Sequence, residues 1–143
     1  MKDSATFNIL LADDDTEDCQ LFEKALKKMP IATRLRTVSN GEELMNYLLN
    51  NLTDLPDVIF LDLSMPQKTG YECLIEIKGD KNLKAIPIFV FTISTPSDIR
   101  AEVELSNTLI KFGALGYVRK PADFEQFKHA IHQALIRVIE KVA

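Results

Sequence analysis

Apolar runs and amphipathic stretches alternate five times along the chain, and this alternation restricts the possible folds more than any other feature of the sequence. Short apolar runs such as FNILLA (7–12) and DVIFLD (57–62) are each followed by a segment with apolar residues at helical spacing. Parallel strands need a crossover connection, which a helix usually supplies. The sequence therefore predicts an α/β fold with a doubly wound, five-stranded parallel sheet.

The predicted elements fill one domain. Strands are predicted at 7–12, 33–38, 57–62, 86–92 and 114–119, and helices at 16–29, 41–52, 71–80, 97–112 and 123–142. Thr16 is the predicted N-cap of the first helix. The second strand alternates polar and apolar residues, which is typical of an edge, whereas the fourth is apolar on both faces. We expect a single domain over 1–143, with its core at about 7–140.

Composition excludes several classes of protein. The 143 residues are 46% hydrophobic and 27% charged, as in an ordinary globular domain. The net charge of −4 argues against a surface that binds nucleic acid. The chain lacks an apolar run of membrane-spanning length, and its N-terminus lacks a signal-peptide core, so we expect a cytoplasmic protein without membrane contact. Cys19 and Cys73 are expected to be reduced thiols.

Charged and hydroxyl side chains follow four of the five strands. They are Asp13, Asp14 and Asp15 after the first strand, Asp62 at the end of the third, Thr92 at the end of the fourth and Lys120 after the fifth. Ligands of open parallel sheets bind outside the carboxyl ends of the strands. These residues are therefore predicted to meet at one edge of the sheet.

Crowded carboxylates need a compensating positive charge. Two unit charges about 4 Å apart repel by about 1 kcal/mol in water and about 4 kcal/mol near a protein surface. Mg²⁺ prefers one or two carboxylates together with water and phosphate oxygens. The cluster thus predicts a Mg²⁺ site that accepts a phosphoryl group, with Asp62 as nucleophile and Lys120 as a further positive charge.

Simpler interpretations apply to single residues. An Asp after a strand is often a helix N-cap or turn residue, and this interpretation is strongest for Asp15. A calcium loop starting at Asp13 is excluded, because Asp18 and Lys24 stand where that loop requires Gly and Glu. His129 and His132 lie three residues apart on a predicted helix but lack an evident third metal ligand, so we interpret them as solvated.

Four separated motifs resemble the receiver domain of a bacterial two-component response regulator. They are ILLADDD, DVIFLDLSMP with Gly70-Tyr71-Glu72 after it, PIFVFT and GYVRKP, in that order. The resemblance extends over about residues 7–140. It implies the flavodoxin-like (βα)5 fold with strand order 2-1-3-4-5, which is the order of the chemotaxis member of this family.

The resemblance implies a metal site and a phosphoacceptor. Asp62 matches the aspartate that accepts the phosphoryl group. Asp13 and Asp14 match the acidic pair that holds Mg²⁺, and the backbone carbonyl of Ser64 matches a further metal ligand.

The resemblance also implies the residues that respond to phosphate. Thr92 matches the switch hydroxyl, Tyr117 the switch aromatic and Lys120 the lysine that contacts the phosphoryl group. Lys120-Pro121 matches a peptide that is usually cis in the family. The implied donor is a sensor histidine kinase or a histidine phosphotransfer protein, and the face at 97–142 is expected to bind a downstream protein target or a second copy of the chain.

We expect a stand-alone signalling switch and not an enzyme, with only Mg²⁺-dependent self-phosphotransfer and self-dephosphorylation. One alternative is a receiver-fold interaction module that acts without phosphorylation. Another is a small-ligand binder like flavodoxin, but acids occupy the first loop, where a flavin phosphate would bind.

Three departures from the family pattern bear on phosphate lifetime and contacts. Ile93 stands where the family usually has a small residue, which predicts slow dephosphorylation, and Ser64 replaces a commoner longer polar residue. The segment at 97–112 is longer than in a minimal receiver domain. It carries a second apolar stripe at Leu105, Leu109 and Phe112 that is either partly exposed or a contact surface.

Overall fold

The predicted strands form one parallel sheet. The computed structural model describes residues 6–63, 65, 67–92, 107–119 and 123–142. The strands are β1 (Phe7–Ala12), β2 (Thr33–Val38), β3 (Val58–Asp62), β4 (Ile88–Thr92) and β5 (Gly116–Arg119). Their order is β2-β1-β3-β4-β5, and all four neighbouring pairs are parallel. The flavodoxin-like order is therefore confirmed, with β2 at an edge as its alternating pattern predicted.

Helices cover both faces of the sheet. They are α1 (Thr16–Lys27), α2 (Gly41–Leu49), α3 (Gly70–Gly79), a helical segment α4 at 107–111, and α5 (Phe124–Val142). One buried cluster joins α1 and α5 to the sheet, and another joins α2, α3 and Leu109 of α4 to the opposite face. This arrangement confirms the doubly wound architecture. The first part of the predicted fourth helix, at 97–106, lies outside the described residues.

The apolar run of β3 is continuous because both of its faces are buried. Residues 58–61 are completely inaccessible to solvent. Val58 and Phe60 pack into the cluster beneath α1 and α5, whereas Ile59 and Leu61 pack into the cluster beneath α2 and α3. A central parallel strand needs apolar residues at every position for this reason. The apolar pattern stops at Asp62, the last residue of β3, at the carboxyl end of the sheet.

Aromatic side chains of β3, β4 and α1 pack against one another. Phe60 stacks on Phe89 and Phe91, with ring centroids 5.6 and 5.2 Å away. Phe22 of α1 meets Phe60 edge-on at 5.0 Å. Such pairs stabilise a core beyond the area they bury. The strand that ends in Asp62 is therefore held firmly against β4 and α1.

The N-cap of α1 is Asp15, so the prediction of Thr16 was wrong. The side chain of Asp15 accepts hydrogen bonds from the backbone N–H groups of Glu17 and Asp18, at 2.9 and 3.2 Å. Asp15 has extended backbone angles, and Thr16 is the first helical residue. A carboxylate also interacts favourably with the positive end of the helix dipole. The structural interpretation of Asp15 is thus confirmed.

Several element boundaries differ from the prediction by one to three residues, and local hydrogen bonds accompany two of these differences. The α2 helix stops at Leu49, where the Asn51 side-chain amide donates to the Tyr47 carbonyl at 2.7 Å. Leu52 therefore lies beyond the helix and is exposed. The β5 strand begins at 116, because Ala114 still donates its N–H to the α4 residue Leu109 at 3.0 Å.

Two further observations concern the apolar length of the helices and the state of the two cysteines. Within the described residues, none of the helices is long and apolar enough to cross a membrane. Cys19 and Cys73 are both free thiols, as predicted. Burial raises the pKa of the Cys73 thiol to about 11, so this group stays protonated near neutral pH.

Candidate metal and phosphoacceptor site

Three of the predicted acids meet at the carboxyl end of the sheet. Oxygen atoms of Asp13, Asp14 and Asp62 all lie within 4.8 Å of one another. Asp13 is 3% exposed and Asp62 5% exposed, whereas Asp14 faces solvent. These two buried aspartates are the only buried charged residues among those the structure describes. The structure therefore brings together the residues that the sequence pattern predicted for one metal site.

Backbone hydrogen bonds hold Asp13 directly after β1. Its N–H donates to the carbonyl of Val38 on β2 at 3.0 Å, which extends the pairing of the two strands. Its side chain accepts the N–H of Asp15 at 3.0 Å, and its carbonyl accepts the Cys19 thiol at 3.7 Å. Asp13 thus closes the turn into α1, and its carboxylate is fixed beside the strand ends.

Asp62 is positioned by strand pairing on one side and by α3 on the other. It lies opposite Phe91 of β4, and the following N–H, of Leu63, donates to the Phe91 carbonyl at 3.3 Å. The chain then returns, and Gly70 donates its N–H to the Leu63 carbonyl at 3.2 Å. The first turn of α3 consequently lies against the backbone of Asp62.

A bound cation would offset the repulsion between the three carboxylates of this cluster. Two buried carboxylates and a third exposed one are unfavourable together, because repulsion between like charges strengthens as water is removed. The oxygens of carboxylates are the ligands that hard divalent ions prefer. Of the groups of potential metal ligands in the described part of the chain, only this one meets the geometric requirement for a shared ion. The residues present therefore fit a divalent metal of the Mg²⁺ type.

The other predicted site residues are only partly described. Thr92 ends β4, next to β3, and pairs with Arg119 of β5. Tyr117 lies on β5, packs against the cluster beneath α2 and α3, and has a buried hydroxyl oxygen. Ser64, Lys120 and the Lys120-Pro121 peptide lie outside the described residues, as does the Thr92 side chain.

Contacts in the loop after Asp62 were not predicted. Thr69 and Glu72 form a reciprocal capping box at the start of α3, and these hydrogen bonds lower the pKa of Glu72. Lys68 pairs with Glu76 one helical turn further on, which raises the pKa of the lysine. The T-x-x-E pattern at 69–72 is a local signal that could have identified the cap. The ion pair lacks a comparable local signal.

Comparison with known proteins decides the family. Residues 9–132 match the response regulator receiver domain. This chain belongs to that family. It is 31% identical over 130 residues to the probable methanogenesis regulatory protein FilR2 of Methanothrix harundinacea, covering 89% of this chain and 80% of FilR2. It is 36% identical over 102 residues to response regulator Rcp1 of Synechocystis, covering 68% of this chain and 69% of Rcp1.

Solved receiver structures show the same architecture. The Mn²⁺-bound form of Rcp1 superimposes with a TM-score of 0.75, at 27% identity over the longer structural alignment, covering 89% of this chain and 90% of Rcp1. The phosphorylated cyanobacterial phytochrome response regulator RcpA also has a TM-score of 0.75, at 31% identity and 91% coverage of both chains. The acidic cluster of this receiver domain fits the ion class that Rcp1 binds.

Proposed function

We propose that this receiver domain takes a phosphoryl group onto Asp62 from a phosphohistidine of a sensor histidine kinase or a histidine phosphotransfer protein. A carboxylate oxygen of Asp62 attacks the phosphorus atom. A P–O bond forms while the P–N bond breaks, and the electron pair stays on the imidazole of the donor, which takes up a proton. The observation that carries this proposal is the pair of buried acids, Asp13 and Asp62, beside the exposed Asp14.

The proposed metal ligands are Asp13, Asp14, Asp62 and the backbone carbonyl of Ser64, and the proposed ion is Mg²⁺. When it is bound, a divalent ion offsets the charge that develops on the transferred phosphoryl oxygens. The protein residues hold the acceptor oxygen in place and exclude most water from it, since Asp62 is nearly fully buried. We assign Lys120 to contact the phosphoryl group from the side of β5.

The proposed output is a shift between two conformations. The phosphoryl group on Asp62 carries about −1.5 to −2 charges in place of the single charge of the carboxylate, and Thr92 donates a hydrogen bond to it. Tyr117 then occupies an inward position, which biases the face at 97–142 toward its partner-binding form. Ile110 and Phe112 on this face are 52% and 41% exposed. This exposure supports a contact with a downstream protein or a second copy of the chain.

The test is phosphorylation by acetyl phosphate, measured by intact mass. The chain with Mg²⁺ should gain the mass of one phosphoryl group. EDTA should prevent the gain, and Asp62→Asn should abolish it. The matched control is Asp57→Asn, because Asp57 lies at the other end of the same strand and contacts Asn8 instead of the acidic cluster.

The alternative is a receiver-fold module that binds its partner without phosphorylation. If the wild-type chain gains no mass, or if Asp62→Asn gains as much as wild type, phosphotransfer to Asp62 is ruled out. The module would then be the better account. It also predicts equal capture of the partner with and without beryllofluoride, whereas phosphotransfer predicts a difference.

A further inference from the structure

The loop between Asp62 and α3 contacts the first residue of another helix. Gly41 is the first residue of α2 and is buried against Lys68. A Cβ atom added to Gly41 would lie 2.2 Å from the Lys68 carbonyl oxygen and 2.5 Å from the Lys68 Cβ. Real atoms do not approach so closely, so any side chain here displaces the backbone of the loop. Only glycine permits this contact.

A second glycine holds the same loop at its other end. A Cβ atom on Gly70 would lie 2.3 Å from the carbonyl oxygen of Asp62 and 2.7 Å from the Cα of Leu63. Helices therefore approach the backbone after β3 without an intervening side chain at two points, Leu63 and Lys68. Gly70 contacts the proposed phosphoacceptor directly, whereas Gly41 reaches it only through the loop.

Further contacts support the position of this loop against α2. The Cys73 thiol of α3 donates to the Gly41 carbonyl at 3.6 Å, and Lys68 pairs with Glu76 of α3. Gln67, beside Lys68, has a φ of 69°, in the left-handed region that residues other than glycine rarely adopt. Such a conformation persists when surrounding contacts determine it. The contacts of Lys68 with α2 and α3 are of this kind.

We infer that Gly41 is a positioning residue for the phosphoacceptor and its metal site, and that it couples α2 to them through Lys68 and Gly70. The inference rests on the proposed role of Asp62. An added methyl group must move the Lys68 backbone by about 1 Å to reach ordinary contact distance. Gly70 follows Lys68 by two residues and lies against the carbonyl oxygen of Asp62, and metal ligands must be held to within about 0.5 Å. The displacement should therefore loosen the metal site.

The experiment measures Mn²⁺ affinity directly, from the electron paramagnetic resonance signal of the free ion, with the full chain. Gly41→Ala should weaken binding about tenfold, the lower end of the loss that follows when groups that orient metal ligands are changed. Gly70→Ala should weaken it at least as much. Gly79→Ala is the matched control, because a Cβ there meets nothing within 4 Å. Like Gly41, Gly79 is a terminal residue of a helix, in this case the last residue of α3.

A second control separates positioning from loss of stability. Leu48 is fully buried at the far end of α2, so Leu48→Ala destabilises the helix without touching Lys68. It should leave Mn²⁺ affinity unchanged while the protein remains folded. If Gly41→Ala binds as tightly as Gly79→Ala, or if Leu48→Ala loses as much affinity, the inference is overturned. If wild type fails to bind Mn²⁺, the proposed metal site fails, which is a separate result.

The wild-type chain supplies a test that does not depend on the folding of a variant. Coupling between two sites is reciprocal, so metal binding must also affect Gly41. In a Mg²⁺ titration followed by amide resonances, Gly41 and Gly70 should shift with one common midpoint. Gly79 and Gly113 should remain in place. A Gly41 resonance that does not respond while Gly70 shifts would refute the coupling to α2.

Discussion

The two ends of β3 carry the same side chain in opposite environments. At the amino end, the Asp57 carboxylate accepts the N–H of Asn8 at 2.7 Å, and the Asp57 N–H donates to the Asn8 carbonyl at 2.8 Å. At the carboxyl end, Asp62 is 5% exposed, and its carboxylate lies within 4.8 Å of those of Asp13 and Asp14. One acid extends the hydrogen bonding between β1 and β3, and the other is placed among like charges.

This difference shows how a structural acid can be told from a functional one. A carboxylate that accepts a backbone N–H stabilises the fold at its own position. Like charges that are held close together repel, and a bound cation offsets this repulsion. Asp57 therefore stabilises the pairing of β1 and β3, whereas Asp62 belongs to a cluster of acids that fits a metal ion. The free energies of unfolding of variants at the two ends should consequently change in opposite directions.

The largest change in the free energy of unfolding is expected at the amino end of β3. Asp57→Ala removes the acceptor of the Asn8 N–H and leaves this partly buried donor unsatisfied. We expect the free energy of unfolding to fall by about 1 to 3 kcal/mol. Urea titration followed by circular dichroism measures the change, with the exposed Asp54→Ala as control. Equal stability of the two variants would mean that Asp57 adds nothing to the strand pairing.

The effect at the carboxyl end should be smaller and of opposite sign. Asp62→Asn removes one of three clustered charges, so without divalent ions the free energy of unfolding should rise by about 1 kcal/mol. Saturating Mg²⁺ should reverse the ranking, because an ion at 100 times its dissociation constant stabilises the wild type by about 2.7 kcal/mol. The same urea titration in EDTA and in Mg²⁺ checks both. Destabilisation by Asp62→Asn in EDTA would contradict the comparison.

The sequence predicted the acidic end of the sheet better than the contacts that support it. Asp13, Asp14 and Asp62 follow apolar runs, so the alternation of strands and helices was enough to bring them together. Asp57 directly precedes its strand, and its partner Asn8 is 49 positions away. The sequence lacks a local signal for that pairing.

The same limit applies to the loop after Asp62. The approach of Gly41 to Lys68 depends on how α2 packs against α3. Helical spacing predicted Leu44, Leu48 and either Leu49 or Leu52 on the core face of α2. Leu44 and Leu48 are fully buried, whereas Leu49 and Leu52 are exposed. The spacing did not predict where α2 ends, next to a hydrogen bond from the Asn51 side chain to the Tyr47 carbonyl. Packing between helices is thus the part of the site that the sequence pattern did not determine.

The smallest effect concerns Glu72, an acid that resembles Asp57 in accepting hydrogen bonds but is fully exposed. The N–H and hydroxyl of Thr69 donate to it at 3.1 and 3.0 Å, and these hydrogen bonds lower its pKa in the folded protein. A group whose pKa is lowered by folding stabilises the protein above its unfolded pKa, and this contribution is lost as the pH falls through the folded pKa. Wild type should therefore melt at a higher temperature than Glu72→Gln at pH 7. The gap should close as the pH falls below the ordinary value of 4.5. A gap that persists unchanged to pH 3 would show that the charge of Glu72 does not contribute to the cap, and that only the shape of its side chain matters.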